Sequence, residues 1–134
     1  MSDLVVRRVE SKKDLKKFVK VPFHVHRDHP EWVPPLIMER MDFLNRKKNP
    51  YFDHAEVELL IAERDGVSVG RISAQIDDRW DEYRGGNDGQ FGFFETIDDA
   101  EVANALLDAG CEWLAGKGRE KVYGPMDFTT NDEI

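Results

Sequence analysis

The stretch "EVELLIAERDGVSVGRISAQID", residues 56 to 77, constrains this chain more than any other. Two runs of alternating, β-rich residues flank Asp65-Gly66, a pair suited to the two consecutive left-handed positions of a tight hairpin turn. An antiparallel hairpin therefore stands at the centre of the chain, and the other segments must cover its faces. "LVVRRV" (4 to 9) reads as a further strand. Ser11 is a good helix N-cap with Asp14 three residues on, so a helix starts at Lys12 and runs to about Lys20 on a stripe of Leu15, Phe18 and Val19. Pro22 suits the first turn of a second short helical segment, since its missing N–H costs nothing there. The prolines of "DHPEWVPPL" break the chain, and "PLIMERMDFLN" (35 to 45) resumes helical spacing.

Past the hairpin, "DDRWDEYRGGNDG" (77 to 89) is rich in charge and turn formers and reads as a loop. "QFGFFET" reads as a fourth strand, followed by a helix from about Asp99 to Lys117. Val102, Ala103, Leu106, Leu107, Cys111 and Leu114 recur at spacings of three and four along it. Cys111 is read as core, and Gly110 beside it as the point where the helix approaches the sheet closely. "EKVYGPMDF" supplies a fifth strand broken at Gly124-Pro125. The expected fold class is an α/β mixed sheet in the order β-α-α-β-β-β-α-β, with an antiparallel hairpin and a right-handed parallel return at the end.

The 134 residues fit one domain, and no run approaches the roughly 18 apolar residues of a membrane span. The start shows no secretory signal, and the single cysteine suits a reducing compartment, so the expected location is cytoplasmic. Charge is unevenly placed. Residues 1 to 50 hold 12 Lys/Arg against 7 Asp/Glu, a net of +5, and the remainder hold 7 against 20, a net of −13. The acidic part argues against nucleic acid wrapped over the whole surface. Lys12, Lys13, Lys16, Lys17 and Lys20 read as the solvated face of the first helix. His24, His26 and His29 lie close in sequence and His54 apart from them. Their spacing places at most two on one helical face, so no metal is expected.

The element order, with "HPEWVPPL", "KNPYFDHAEVELLIAERDG", "FGFFE", "ALLDAGCEWLAGKG" and "GPMDFTTNDE", resembles the GNAT acyltransferase superfamily. More narrowly it resembles the N-terminal part of a group of longer bacterial GNAT-like proteins of unsettled function. The resemblance covers nearly all of residues 1 to 134, read as one GNAT-like domain lacking the last helix and strands of a complete one. It implies N-acyl transfer from acetyl-coenzyme A or another acyl-coenzyme A to an amine. The backbone N–H of Phe93 would polarise the acyl carbonyl, Glu95 would be the candidate base, and Asn131 and Asp132 would line the substrate cleft. Trp32, Trp80, Trp113 and the phenylalanines of "FGFFE" could build an acyl pocket.

Members that use acetyl-coenzyme A resemble one another through a Gln/Arg-x-x-Gly-x-Gly/Ala turn whose amides hold the pyrophosphate. In this chain Asp98 stands at the Arg position and Glu101 at the first Gly, while Ala103 fits the last. A carboxylate about 4 Å from a phosphate charge costs on the order of 4 kcal/mol at an effective dielectric near 20. The expectation is a helix start capped by Asp98 or Asp99 and impaired for acetyl-coenzyme A. The alternative reading is a noncatalytic binding or dimerisation module, homo-oligomeric through an exposed sheet edge or a swapped element. The expected partners are a small amine or a protein, with neither nucleic acid nor membrane.

Overall fold

A computed structural model describes residues 4–26 and 37–125, with the side chains of Tyr83 and Arg84 outside that description. Its strands are β1 (Leu4–Arg8), β2 (Ala55–Arg64), β3 (Val67–Asp77), β4 (Asp88–Thr96) and β5 (Lys121–Tyr123). Its helices are α1 (Lys12–Val25), α2 (Ile37–Phe43), α3 (Asp78–Arg84) and α4 (Ala100–Gly116), with a 3-10 turn at Pro50–Asp53. The five strands form one mixed α/β sheet in the order β1-β2-β3-β4-β5. Neighbours are antiparallel except β4 and β5, which run parallel and pair from Asp88↔Lys121 to Gln90↔Tyr123.

The hairpin forms where the sequence calls for it. Asp65 (φ 54°) and Gly66 (φ 81°) both take the left-handed conformation, the demand of a two-residue turn whose twist matches its strands. Alternation along β2 then sorts side chains onto two faces. Val57, Leu59 and Ile61 join Phe18 and Val19 of α1, with Leu44 and Phe93, in one cluster. Leu60 and Ala62 join Val69 and Ile72 against Val102 and Leu106 of α4 in another. The sheet is thus sandwiched between α1 with α2 on one face and α4 on the other.

Local chemistry accounts for most helix ends. The Ser11 hydroxyl accepts from the Asp14 N–H (3.1 Å) while the Asp14 carboxylate accepts from the Glu10 N–H (3.2 Å), a reciprocal cap. Lys12, Lys13, Lys16 and Lys20 are exposed and Lys17 is half-buried, as expected of a solvated face. On α4, Asp99 is the cap, and the buried stripe runs Val102, Leu106, Gly110, Leu114.

Four expectations need correction. First, α1 does not end near Lys20: it continues through Pro22 to Val25 as one helix. Second, residues 77 to 89 are not a loop. Asp77 caps α3 by accepting from the Arg79 N–H (2.9 Å), and Gly85 (φ 90°) ends it. Trp80 Nε1 donates to Asp88 on β4 (2.9 Å), its ring lies 5.8 Å from that of Tyr123 on β5, and Arg119 pairs with Asp81 at 2.7 Å. Third, Cys111 is exposed, because the stripe advances four residues at a time and passes through Gly110. Fourth, Gly110 is not the point of close approach, since a Cβ there would meet Ile72 and Ala74 at 3.8 and 3.9 Å, ordinary contacts. The glycines that let α4 close down belong to the sheet. A Cβ at Gly70 would lie 2.7 Å from Leu106, and one at Gly89 2.5 Å from Leu114.

Candidate functional site

The face of the sheet under α1 carries an irregularity in β4. Arg71 pairs with Glu95 and Ser73 with Gly92, so Ile72 on β3 stands opposite two residues, Phe93 and Phe94. That extra residue is a β-bulge, and Phe93 takes φ 49° within it. Left-handed backbone is uncommon for a bulky residue and persists only where surrounding contacts hold it.

The holding contacts come from α1 and β3. Pro22 has no N–H to give the carbonyl of Phe18 four residues earlier, so the helix leaves that acceptor open. Arg71, buried on β3, fills the place: Nη1 donates to the Phe18 carbonyl (3.1 Å) and Nε to the Phe93 carbonyl (2.9 Å). Its guanidinium also stacks over the rings of Phe18 (5.0 Å) and Phe93 (5.4 Å). One buried side chain therefore ties the proline-interrupted helix to the bulge, at the cost of carrying a charge out of water.

Two residues beyond Phe93, the Glu95 carboxylate meets His26 at the C-terminal cap of α1, with Nε2 to Oε2 at 2.8 Å. Both side chains are partly exposed. A carboxylate beside one ring nitrogen fixes the orientation of an imidazole, the arrangement of a proton acceptor with its orienting partner. Of the residues expected at the site, Phe93 and Glu95 are thus brought to one place. His26 joins them, a pairing across 69 positions with no local signature. Asn131, Asp132, His29 and Trp32 lie outside the described residues.

At the start of α4, the Asp99 side chain accepts from the Glu101 N–H (2.9 Å), so the helix caps itself as expected. Arg64, at the end of β2, pairs with Asp99 (2.8 Å) and with Glu101 (2.6 Å). The Arg64 hydrogen bond, then the Glu101 N–H, hold the Asp99 carboxyl below the usual carboxylate range. Two of the three carboxylates at this turn therefore carry a cation of their own, and the Glu101 N–H is committed to Asp99.

The remaining candidates lie elsewhere. His54 pairs with the buried Asp77 (2.8 Å), and among the described residues no three His, Cys, Asp or Glu converge on a point where a metal could bind. Phe91 and Phe94 pack on the α4 side, and Trp113 packs against Ala74, Ile76 and Leu114 there. Only Phe93 of the aromatic run faces α1. No helix among the described residues is long and apolar enough to cross a membrane.

No family profile matches the sequence. Over 134 residues the chain is 43% identical to a bacterial ceramide synthase of Caulobacter vibrioides, covering 99% of this chain and 35% of that protein. It is 40% identical over 129 residues to the protein YghO of Escherichia coli K12, covering 96% of this chain and 33% of that one. The chain spans about a third of the length of these curated relatives. Among solved structures, an aminoglycoside acetyltransferase from an uncultured soil sample superposes with a TM-score of 0.63 at 16% identity, over 97% of this chain and 80% of that one. An acetyltransferase of Clostridium acetobutylicum, solved with acetyl-CoA, superposes with a TM-score of 0.63 at 13% identity, over 96% and 84%. At these identities the likeness is one of fold.

Proposed function

We propose, for a chain that has the fold of the GNAT acyltransferases, that it forms the N-terminal part of an N-acyltransferase acting on the primary amine of a long-chain amino alcohol. The His26–Glu95 pair beside the Phe93 bulge carries this reading. The acceptor class comes from the ceramide synthase to which the chain is 43% identical, a ceramide being the fatty amide of such an amine. An acyl thioester, the donor suggested by the acetyl-CoA-bound neighbour, would supply the activated carbonyl. The amine nitrogen forms the new C–N bond, the C–S bond breaks, and the thiol leaves with a proton.

His26 takes the proton the amine gives up, and Glu95 holds the imidazole in register. The backbone N–H of Phe93 polarises the carbonyl, a placement that depends on Arg71 holding the bulge. No step is assigned to the self-capped start of α4.

The test is thiol release from a long-chain acyl-CoA in the presence of a long-chain amino alcohol, using the full-length protein. His26→Ala should lower kcat by roughly 10²- to 10⁴-fold, the usual contribution of a positioned proton acceptor, and Glu95→Gln by less. Unchanged turnover in His26→Ala would remove the proposal. The self-capped α4 start supports a second reading, a noncatalytic module that pairs through a sheet edge. Dimerisation without any acyl-CoA binding would favour it.

A further inference from the structure

Between the N-terminal half of α1, α2 and the turn after it lies an open cleft of about 970 Å³, within the size range of small-molecule sites. Val9, Leu15, Ile37, Met41, Leu44 and Leu59 form its walls. All six belong to the cluster that contains Phe93, whose ring lies 6.0 Å from that of Phe43 on α2. The cleft is therefore an open margin of the core on the α1–α2 face of the sheet. Met38 extends the apolar lining and is 81% exposed.

The mouth is basic. Lys12, Lys16, Arg46, Lys47 and Lys48 line it against Glu10 and Asp42, a net of +3. Lys48 is paired with Asp42 (3.0 Å), and Arg46 is turned to the Val57 carbonyl (2.9 Å) and the Phe52 ring. Lys12, Lys16 and Lys47 are exposed and remain for a ligand. Apolar walls under three such cations match one chemistry: a single hydrocarbon chain ending in an anionic group. A long-chain amine, cationic at neutral pH, is repelled at the same mouth, so this cleft differs from the place where the acceptor would react.

We propose that the α1–α2 cleft binds a single-chain anionic amphiphile of the fatty-acid type, its tail along Leu15, Met41 and Leu59 and its anionic end at Lys12, Lys16 and Lys47. The proposal goes beyond the acyl-transfer reading and does not need it. The experiment is calorimetric titration of the full chain with dodecanoate, dodecyltrimethylammonium and neutral dodecyl maltoside, each below its micellar concentration.

Saturable binding is expected for dodecanoate, at least about tenfold tighter than for the cationic amphiphile, given the attraction of one side and repulsion of the other. The triple variant Lys12→Glu, Lys16→Glu, Lys47→Glu, all at exposed positions, should invert that order and leave the neutral amphiphile unchanged. Met38→Glu, also exposed, should weaken dodecanoate without touching the fold, checked by an unshifted Tm. Equal binding of the two charged amphiphiles, or no saturable binding, would overturn the proposal. So would binding to phosphatidylglycerol vesicles without binding to monomeric dodecanoate, which would make the surface a membrane contact instead. Turnover in the thiol-release assay, with no dodecanoate binding, would sink this inference alone and leave the acyl-transfer reading standing.

Discussion

Arg71 links two elements of the architecture, because carbonyls from α1 and β4 both depend on its guanidinium. Lysine keeps the charge but lacks the planar fork, so it can meet one of the two carbonyls at a time. Arg71→Lys should cost about 1–3 kcal/mol, the usual result of leaving a buried acceptor unsatisfied, read from urea denaturation. Gln90 presents the opposite case. Its side chain is buried on β4, and among the described residues its Oε1 finds no hydrogen-bond partner. Gln90→Met, similar in shape, should hold or raise the unfolding free energy, by up to about 1–3 kcal/mol in urea denaturation. Asp99 sets an acid limit. Because Arg64 lowers its folded carboxyl below the ordinary value of about 3.9, its contribution is fully present above that pH and is lost as pH falls through the lowered value. Asp99→Asn should therefore flatten that part of the acid-unfolding profile, and added salt should reduce the difference between variant and parent.

Helix α4 and the sheet meet without spacing to spare. A Cβ at Gly70 would meet Leu106 at 2.7 Å, Val102 at 3.0 Å and the Glu95 carbonyl at 3.2 Å. Gly70→Ala must push the helix outward or strain the strand, and should destabilise by about 1–3 kcal/mol in thermal or chemical unfolding. The hairpin and α4 could be read from sequence because their signals are local: a turn dipeptide between alternating runs, and a stripe at helical spacing with an acidic cap. Where long-range contacts decide the outcome, the sequence misleads. Pro22 locally forbids a continuous helix, yet Arg71, 49 positions on, satisfies the carbonyl that the proline abandons. The charged segment that becomes α3 has no apolar stripe. It is held by Trp80 on Asp88 and Asp81 on Arg119. At the candidate site, Phe93 and Glu95 lie two positions apart on β4, so their nearness could be read from the sequence. Their partners, His26 and Arg71, arrive through folding across the sheet.

At the scale of the molecule, the two outer strands of the sheet among the described residues differ in character. β1 carries Arg7 and Arg8, with Arg7 tied to Asp14 (3.0 Å) and Glu63 (2.5 Å), and such charges discourage pairing with another chain. β5 is three residues long with Val122 38% exposed. We propose that association, if the module reading holds, runs through β5. Light scattering after size exclusion should then show a dimer that Val122→Lys converts to a monomer, and a monomer at all micromolar concentrations would exclude it. The junction of β4 and β5 also carries an optical consequence. Trp80 rests its indole on Asp88 of one strand and its ring against Tyr123 of the other, so its fluorescence is a gauge of their separation. The difference in emission between the parent chain and Trp80→Phe would register any ligand that wedges the two strands apart, without a label.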